Sequence, residues 1–489
     1  MVTTNTKNFR TVILGAGFGG LGMGAALKRA GDDDFIILER SRELGGVWRD
    51  NTYPGAACDT EAHLYCYSFF PHLRVSRMYA DRDELMGYMH RMAKHFDLEK
   101  HILYEHEITS ATWNEKTNQW DYIVNGKDHF TSTFFVPAWG QLNSPKIPEF
   151  KGLENFKGSL FHSAEWNHDV DLKGKNIASI GSAASAVQYV PEVAKVAGHL
   201  TVFQRTPNWI MPRNQRVFTK DELDNFEKHP ETFEQSRKQL HKMREDGFQR
   251  TRHNSDAQKE GIAIAKAHLA AQVGDEALRA KLTPDFEFGC KRILRTDDYY
   301  PALMRDNVSL ETTPIERFTD KGIVTKDGVE HKFDVVIFGT GFSSQAFQGD
   351  LVVVGQGGVR LDEVWSEGAQ AYLGMNIPGF PNMFVIYGPN TNLNHNSILS
   401  MIEIQQEYIV EAIKHIMKGD AVTVRVDVFN RYNDDIQEDM KGSAFSSTCS
   451  SWYKNAAGRV INNWSGTVED YRKLATWNDA DFDWIAKAG

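Results

Sequence analysis

Cysteine is scarce: Cys58, Cys66, Cys290 and Cys449 are the only four among 489 residues. They form no C-x-x-C pair and no zinc-ligand spacing, and a chain of this length does not depend on a disulfide scaffold. A reducing, cytoplasmic setting without a bound metal is therefore expected. No apolar run reaches the roughly 18 residues that a membrane-crossing helix needs. The polar stretch from Met1 to Arg10 leads straight into an apolar strand, with no room for the apolar core of a signal peptide. Repeats of solenoid length and low-complexity tails are absent as well. Positive charge is in deficit: 55 Lys and Arg face 65 Asp and Glu, a net charge of -10. No field then gathers nucleic acid or an anionic membrane surface, and neither partner is expected.

What is present is an ordinary globular balance, 41% hydrophobic and 25% charged residues, in a chain long enough for roughly two or three domains. Cofactor sites are expected between them. The β-branched run Thr11 to Leu14 is followed by Gly15, Gly17 and Gly20 as G-x-G-x-x-G, then by a helical stretch through Ala30. In a strand-turn-helix, the first Gly permits the tight turn and the second lets backbone approach a pyrophosphate. The third lets helix pack on strand, with the helix N-terminal amides facing the phosphates. A second strand, Phe35 to Leu38, ends in Glu39, nineteen residues past Gly20. Its carboxylate suits ribose hydroxyls and repels a 2'-phosphate, so a non-phosphorylated dinucleotide is expected here.

About 165 residues later the pattern returns in altered form. The strand Asn176 to Ile180 precedes Gly181, Ala183 and Ala186 in the fingerprint positions, and a helix starts near Ser185. The methyl of Ala183 crowds a pyrophosphate that glycine would admit. After the strand Leu200 to Phe203 stand Arg205 and Thr206, where the first site has Glu39. A guanidinium is the partner for a 2'-phosphate, so this site should take NADPH rather than NADH. Further on, Gly289 to Tyr300 reads GCKRILRTDDYY, and the adjacent cations Lys291 and Arg292 are costly beside apolar residues unless anions meet them.

Between the two fingerprints, Phe156, Gly158, His162 and Trp166 spell F-x-G-x-x-x-H-x-x-x-W. This resembles the signature of the type I Baeyer-Villiger monooxygenases, flavoenzymes that use NADPH and dioxygen to insert an oxygen atom beside a ketone carbonyl. Flavin-containing N- and S-oxygenases carry a different aromatic at the place of Trp166. The segment LGGVWRDNTYPGAACD, Leu44 to Asp59, is similar to the family's flavin-covering stretch, as are FDVVIFGTGF, from Phe333, and PNMFVIYGPNTNLNHNS, from Pro381. The resemblance runs from about Val12 to Tyr471, and GCKRILRTDDYYPAL is closest to the 4-hydroxyacetophenone monooxygenase-like branch.

The resemblance implies FAD at the first fingerprint and NADPH at the second. It places Trp48 at the flavin, Asp59 where flavin and nicotinamide meet, Lys291 at the 2'-phosphate, Arg292 over the flavin paired with Asp59, and Trp452 near the nicotinamide ribose. Gly19, Gly46, Val47, Tyr65, Ile108, Ser185 and Gln188 complete the expected cofactor-binding set. Arg292 and Asp59 are the expected catalytic pair: reduced flavin and dioxygen form an anionic C4a-peroxide, and a guanidinium that never deprotonates offers fixed donors to it and to the oxyanion of the ketone adduct. A lysine at 292 would titrate. Phe156 to Trp166 is read as a hinge, with Gly158 at an unusual backbone angle and His162 hydrogen-bonding across the domain junction. Departures from the family pattern are Thr52 for Arg, Ala183 for Gly, Asn167 for Pro or Asp, and Gly339 for Ala.

The expected fold is α/β, with two Rossmann-like dinucleotide-binding domains and a helical insertion. FAD takes 1–143 and 380–489, NADP takes 144–217 and 286–379, and the insertion is 218–285. The insertion from Phe218 to Lys281 is charged and helical in period, with breaks at Gly247, Gly261 and Gly274 and no assigned chemistry. Arg295 and Trp464 are read as structural. The expected partners are a ketone and dioxygen, for a monomer or homodimer. A flavin-containing N- or S-monooxygenase and a non-catalytic flavin-binding protein stay open as alternatives. A disulfide reductase does not fit, because Cys58 and Cys66 lack the C-x-x-x-x-C spacing.

Overall fold

A computed structural model describes residues 6–345, 347–416 and 420–486. The apolar run at the N-terminus becomes the strand Lys7–Leu14, which lies between Phe35–Leu38 and Asp128–Pro137, parallel to both. Val12 and Ile13 are fully buried because the sheet is covered on both faces, which is why the run is continuously apolar rather than alternating. This sheet has seven strands, in the order Val352–Val354, Ile108–Asn114, Gln119–Val124, Asp128–Pro137, Lys7–Leu14, Phe35–Leu38, Ile102–Leu103. Its antiparallel arm packs Trp113, Trp120, Tyr122 and Phe135 into one aromatic core.

The second sheet is parallel throughout and has five strands, ordered Val308–Glu311, His199–Phe203, Asn176–Ile180, Val335–Phe338, Ser159–His162. Helix Ala186–Ala194 packs on it through Val187, Tyr189, Val190 and Val193, which are buried with Trp166 and Phe161. Two chain crossings link the sheets side by side: Lys146 N donates to Gly341 O at 2.9 Å and Ser343 N to Ser144 O at 2.9 Å.

Three details depart from the sequence reading. Strand Val352–Val354 pairs with Ile108–Asn114 in the first sheet, although 286–379 was expected to belong with the second. A three-valine strand carries no mark of the sheet it will join, and the chain has already crossed back at Phe342. Within the insertion, Gly247 caps helix Pro230–Asp246 and Gly274 lies between helices, but Gly261 sits inside helix Asp256–Gln272. Its role is close packing: a Cβ there would stand 2.8 Å from the Phe288 ring. Finally, Cys290 and Cys449 form a disulfide across 159 residues, a pairing that no local cysteine spacing announces; Cys58 and Cys66 are free and buried. Among the described residues no helix is long and apolar enough to cross a membrane.

Candidate functional site

One cavity of about 1900 Å³ runs between the two sheets and is lined by residues of both fingerprints. Pockets for a single small ligand span about 300–1,000 Å³, so this space suits two dinucleotides and a substrate. On the first side, Gly15 takes φ +94°, a left-handed turn that favours glycine, and a Cβ there would meet Ala138 O at 2.9 Å. Buried Glu39 accepts from Ala16 N at 2.8 Å, from Ser41 N at 2.9 Å and from Arg49 Nη1 at 3.1 Å. A carboxylate has about four acceptor positions, so one remains for a ribose hydroxyl. Gly17, Gly19, Gly46, Val47, Trp48, Tyr65 and Ile108 also face the cavity. Gly46 starts the short helix Val47–Asp50 with φ +54°, and Trp48 Nε1 donates to the Tyr65 hydroxyl at 3.2 Å.

The second side is built for an anion. Gly181, Ala183 and Ser185 line the cavity ahead of helix Ala186–Ala194, with Gly181 at φ +109°. Arg205 and Lys291 converge beyond them, and Thr206 lies alongside. Burial depresses the Lys291 pKa, and the like charge of Arg205 depresses it further. Lys291 Nζ rests 4.5 Å from the centre of the Phe286 ring, and among the described residues no carboxylate forms an ion pair with either cation, although the charge of Asp285 is near enough to offset part of the Lys291 shift. Two adjacent cations with no ion-paired carboxylate fit the 2'-phosphate of NADPH.

Arg292 and Asp59 stand where the two sides meet. Arg292 Nη2 donates to Asp59 Oδ2, and the side chains remain 37% and 24% exposed, open to the cavity. Burial, the largest influence on Asp59, pushes its pKa up, but Arg292, Arg244 and Arg213 together hold it below the usual carboxylate value. The Asp59 charge in turn raises the Arg292 pKa, so the guanidinium stays charged. Two tyrosines that sequence reasoning had not singled out face this pair. Tyr387, at φ +58°, donates its hydroxyl to Asn392 Oδ1 at 2.8 Å, and Tyr453 donates to Asn394 Oδ1 at 3.3 Å. A positive φ on a bulky residue is costly and marks a position the surroundings dictate. The disulfide precedes Lys291 directly and ties the Lys-Arg segment to the loop that carries Trp452 into the cavity.

Other expected site residues do different work. Gln188 spans the two sides with its amide fully engaged: Oε1 accepts from the Tyr53 hydroxyl at 3.0 Å and Nε2 donates to Ala57 O at 2.9 Å. Ala186 is buried in the second core. Thr52, where an ion pair was missing from the family pattern, meets His168 Nε2 at 2.9 Å, a substitute contact between the two sides. Trp166 packs with its ring 5.1 Å from Phe161 and 5.6 Å from Tyr189, and Phe156 packs 6.2 Å from Phe318. Gly158 is not at an unusual φ. It is required by space, since a Cβ would collide with Asp334 O and the Phe156 ring. His162 Nδ1 accepts from Ala164 N at 3.1 Å; burial lowers its pKa, a backbone hydrogen bond to Gly341 on the crossing chain works in the opposite direction, and the ring packs 5.6 Å from Phe342. Arg244, Arg250 and Thr251 bring the insertion into the cavity wall, although no chemistry was assigned to it.

A Rossmann-type turn on each of two sheets, with an arginine-carboxylate pair between them, defines the class of two-nucleotide flavoprotein monooxygenases. The family model for flavin-binding monooxygenase-like proteins matches residues 8–222. The chain is 38% identical to a Baeyer-Villiger monooxygenase of Pseudomonas aeruginosa over 97% of its own length and 91% of the relative's. It therefore belongs to the Baeyer-Villiger monooxygenase family. Among solved structures, OTEMO in complex with FAD and NADP is 26% identical with a TM-score of 0.88, over 97% of this chain and 99% of the other. Oxidized steroid monooxygenase bound to NADP is 29% identical with a TM-score of 0.86, over 99% and 100%.

Proposed function

We propose that this protein holds FAD on the seven-stranded sheet and NADPH on the five-stranded sheet, and converts ketones to esters or lactones. The balance is ketone + O2 + NADPH + H+ giving ester + H2O + NADP+. Reduced FAD supplies the activated oxygen. The observation that carries this reading is the Arg292-Asp59 pair, exposed in a cavity that both fingerprints line. Arg292 keeps its charge at every working pH and aims fixed donors at the space where an oxyanion would form. Asp59 stops the guanidinium from swinging away. Lys291 and Arg205 bind the 2'-phosphate and so set the coenzyme, and Glu39 anchors the adenosine ribose of FAD. Trp452 closes the nicotinamide end and excludes water. The hinge segment couples the two sides through His162, which meets the crossing chain at Gly341 and Phe342.

The GCKRILRTDDYYPAL segment supports aryl or other non-small ketones as substrates. The test is to purify the yellow protein, follow NADPH consumption with cyclic, aryl and long-chain ketones, and identify products by mass. Ester or lactone formation is expected. Sulfoxides from thioethers with no ketone product would favour an N- or S-oxygenase, and bound FAD without NADPH-dependent oxygen uptake would mean a binding protein. Arg292→Ala should lower ester formation by at least about 100-fold, the scale of a lost oxyanion donor, while FAD stays bound. Unchanged turnover would remove Arg292 from the mechanism.

A further inference from the structure

Helix Pro230–Asp246 docks on the first-sheet side of the molecule through polar residues at helical spacing. Ser236 Oγ lies 2.9 Å from His63 Nδ1, Arg237 Nη1 donates to Cys66 O at 2.8 Å, and Glu245 accepts from Asn396 Nδ2 at 2.7 Å. Phe233 is the buried apolar anchor of the helix, and the innermost polar contact belongs to Arg244. Its Nε and Nη2 reach Glu61 Oε2 at 2.9 and 2.7 Å, and Nη2 also donates to the backbone oxygen of Asp59 at 3.3 Å. The pair is almost closed to solvent, with side chains 11% and 5% exposed, and the Tyr79 hydroxyl donates to the other Glu61 oxygen at 3.0 Å. One residue back, Arg213 Nη2 donates to Cys58 O at 2.8 Å. The backbone around Asp59 is thus gripped by two guanidiniums while its carboxylate grips a third.

We propose that Arg244 is a positioning residue for oxygen transfer: by clamping the Asp59–Glu61 segment it lets Asp59 hold Arg292 over the cavity, and so makes the helical insertion part of the oxygenating machinery. This rests on the roles given to Arg292 and Asp59 above. An aspartate on an unclamped loop would still pair with Arg292, but in several geometries, and activated oxygen met by a misplaced guanidinium leaves unproductively. That loss is NADPH + H+ + O2 giving NADP+ + H2O2. The charged groups facing Asp59 are Arg292, Arg244 and Arg213, with Glu61 and Arg295 next to Arg244. Arg244 is one of the three cations that keep the Asp59 carboxyl deprotonated.

The test uses FAD-loaded enzyme, NADPH and a ketone turned over by the wild type, and compares Arg244→Met, Arg244→Lys and Glu61→Gln. Arg244→Met should lower ester kcat by about 10-fold or more, as a misplaced reacting group does. It should raise the share of NADPH lost as H2O2, and NADPH-driven bleaching of the flavin should stay within about twofold, because Arg205 and Lys291, the residues assigned to the 2'-phosphate, are unchanged. The acid limb of the ester rate should move to higher pH, since an Asp59 with one cation fewer takes its proton more readily. Arg244→Lys should restore part of the coupling, and Glu61→Gln should shift the peroxide share in the same direction, which keeps the test open if Arg244→Met does not fold. Unchanged coupling and an unmoved acid limb in these variants would overturn the inference. So would a kcat loss matched by an equal loss of bleaching. If the wild type makes no ester from any ketone, the underlying reading falls first, and the two failures are told apart.

Discussion

The two nucleotide halves solve opposite problems with the same turn. In the first, the charged residue at the strand end is spoken for: Glu39 is buried, receives two backbone N–H groups and is matched by Arg49. In the second, no carboxylate among the described residues forms an ion pair with the corresponding charges: Arg205 is exposed, and burial and Arg205 depress the Lys291 pKa more than Asp285 raises it. A site whose charges are already balanced is rigid before its ligand arrives and loses little on binding, which suits a cofactor held through every cycle. A site with surplus cations gains most when an anion enters, and it gains only then. That suits a coenzyme that must be recognised, used and exchanged. The difference teaches that retention and selectivity were built separately, one by pre-formed hydrogen bonds and the other by unspent charge.

The comparison breaks most readily at Glu39. Glu39→Gln removes the charge that balances Arg49 and turns an amide N–H toward a donor, so both contacts are spoiled at once. With hydrogen bonds to charged groups worth about 1.5–3 kcal/mol each, FAD should bind roughly 100-fold more weakly. The NADPH KM of the reconstituted enzyme should stay within about twofold, because no second-site charge has changed. Flavin released on gel filtration gives the first quantity and steady-state kinetics the second. An equal loss at both sites would mean that the halves are not independent.

Arg205→Ala tests the other side. Removing one of two cations from a 2'-phosphate should raise the NADPH KM about 10- to 30-fold, at the scale of one charge-assisted hydrogen bond. Turnover with NADH should hardly move, since it carries no 2'-phosphate for Arg205 to bind. Parallel changes for the two coenzymes would show that Arg205 only supports the fold.

How far these sites were legible follows from how local each signal is. Thr11–Leu14, Gly15 and Glu39 lie within one strand-turn-helix-strand unit, and so do Asn176–Ile180, Gly181 and Arg205; each unit is specified by a few dozen consecutive residues, and the structure forms both sheets around them. The Arg292-Asp59 contact spans 233 residues and was reached only through family resemblance. Arg244 and Glu61, 183 residues apart, were not reached, because an arginine in a charged helix looks like any solvated residue until the helix docks. The disulfide from Cys290 to Cys449 was missed for the same reason. His162 is a different case: the motif was visible, but how its imidazole divides between Ala164 and Gly341 on the crossing chain depends on angstrom-level placement that no pattern encodes.

The finest test of the comparison is Ala183, the position at which the second fingerprint departs from the first. Its methyl lines the cavity at the place where Gly17 leaves backbone bare on the other side. Ala183→Gly should let a pyrophosphate approach more closely and lower the NADPH KM about two- to threefold, well under 1 kcal/mol. The added backbone freedom works against the gain, since glycine near a helix start costs up to about 1 kcal/mol relative to alanine. If tighter binding also slowed NADP+ release, kcat would fall as KM fell, and the methyl would be a device for keeping the coenzyme exchangeable. If KM rose instead, the methyl would be contributing packing to helix Ala186–Ala194 rather than crowding the ligand, and the looseness of the second site would rest on its unpaired cations alone.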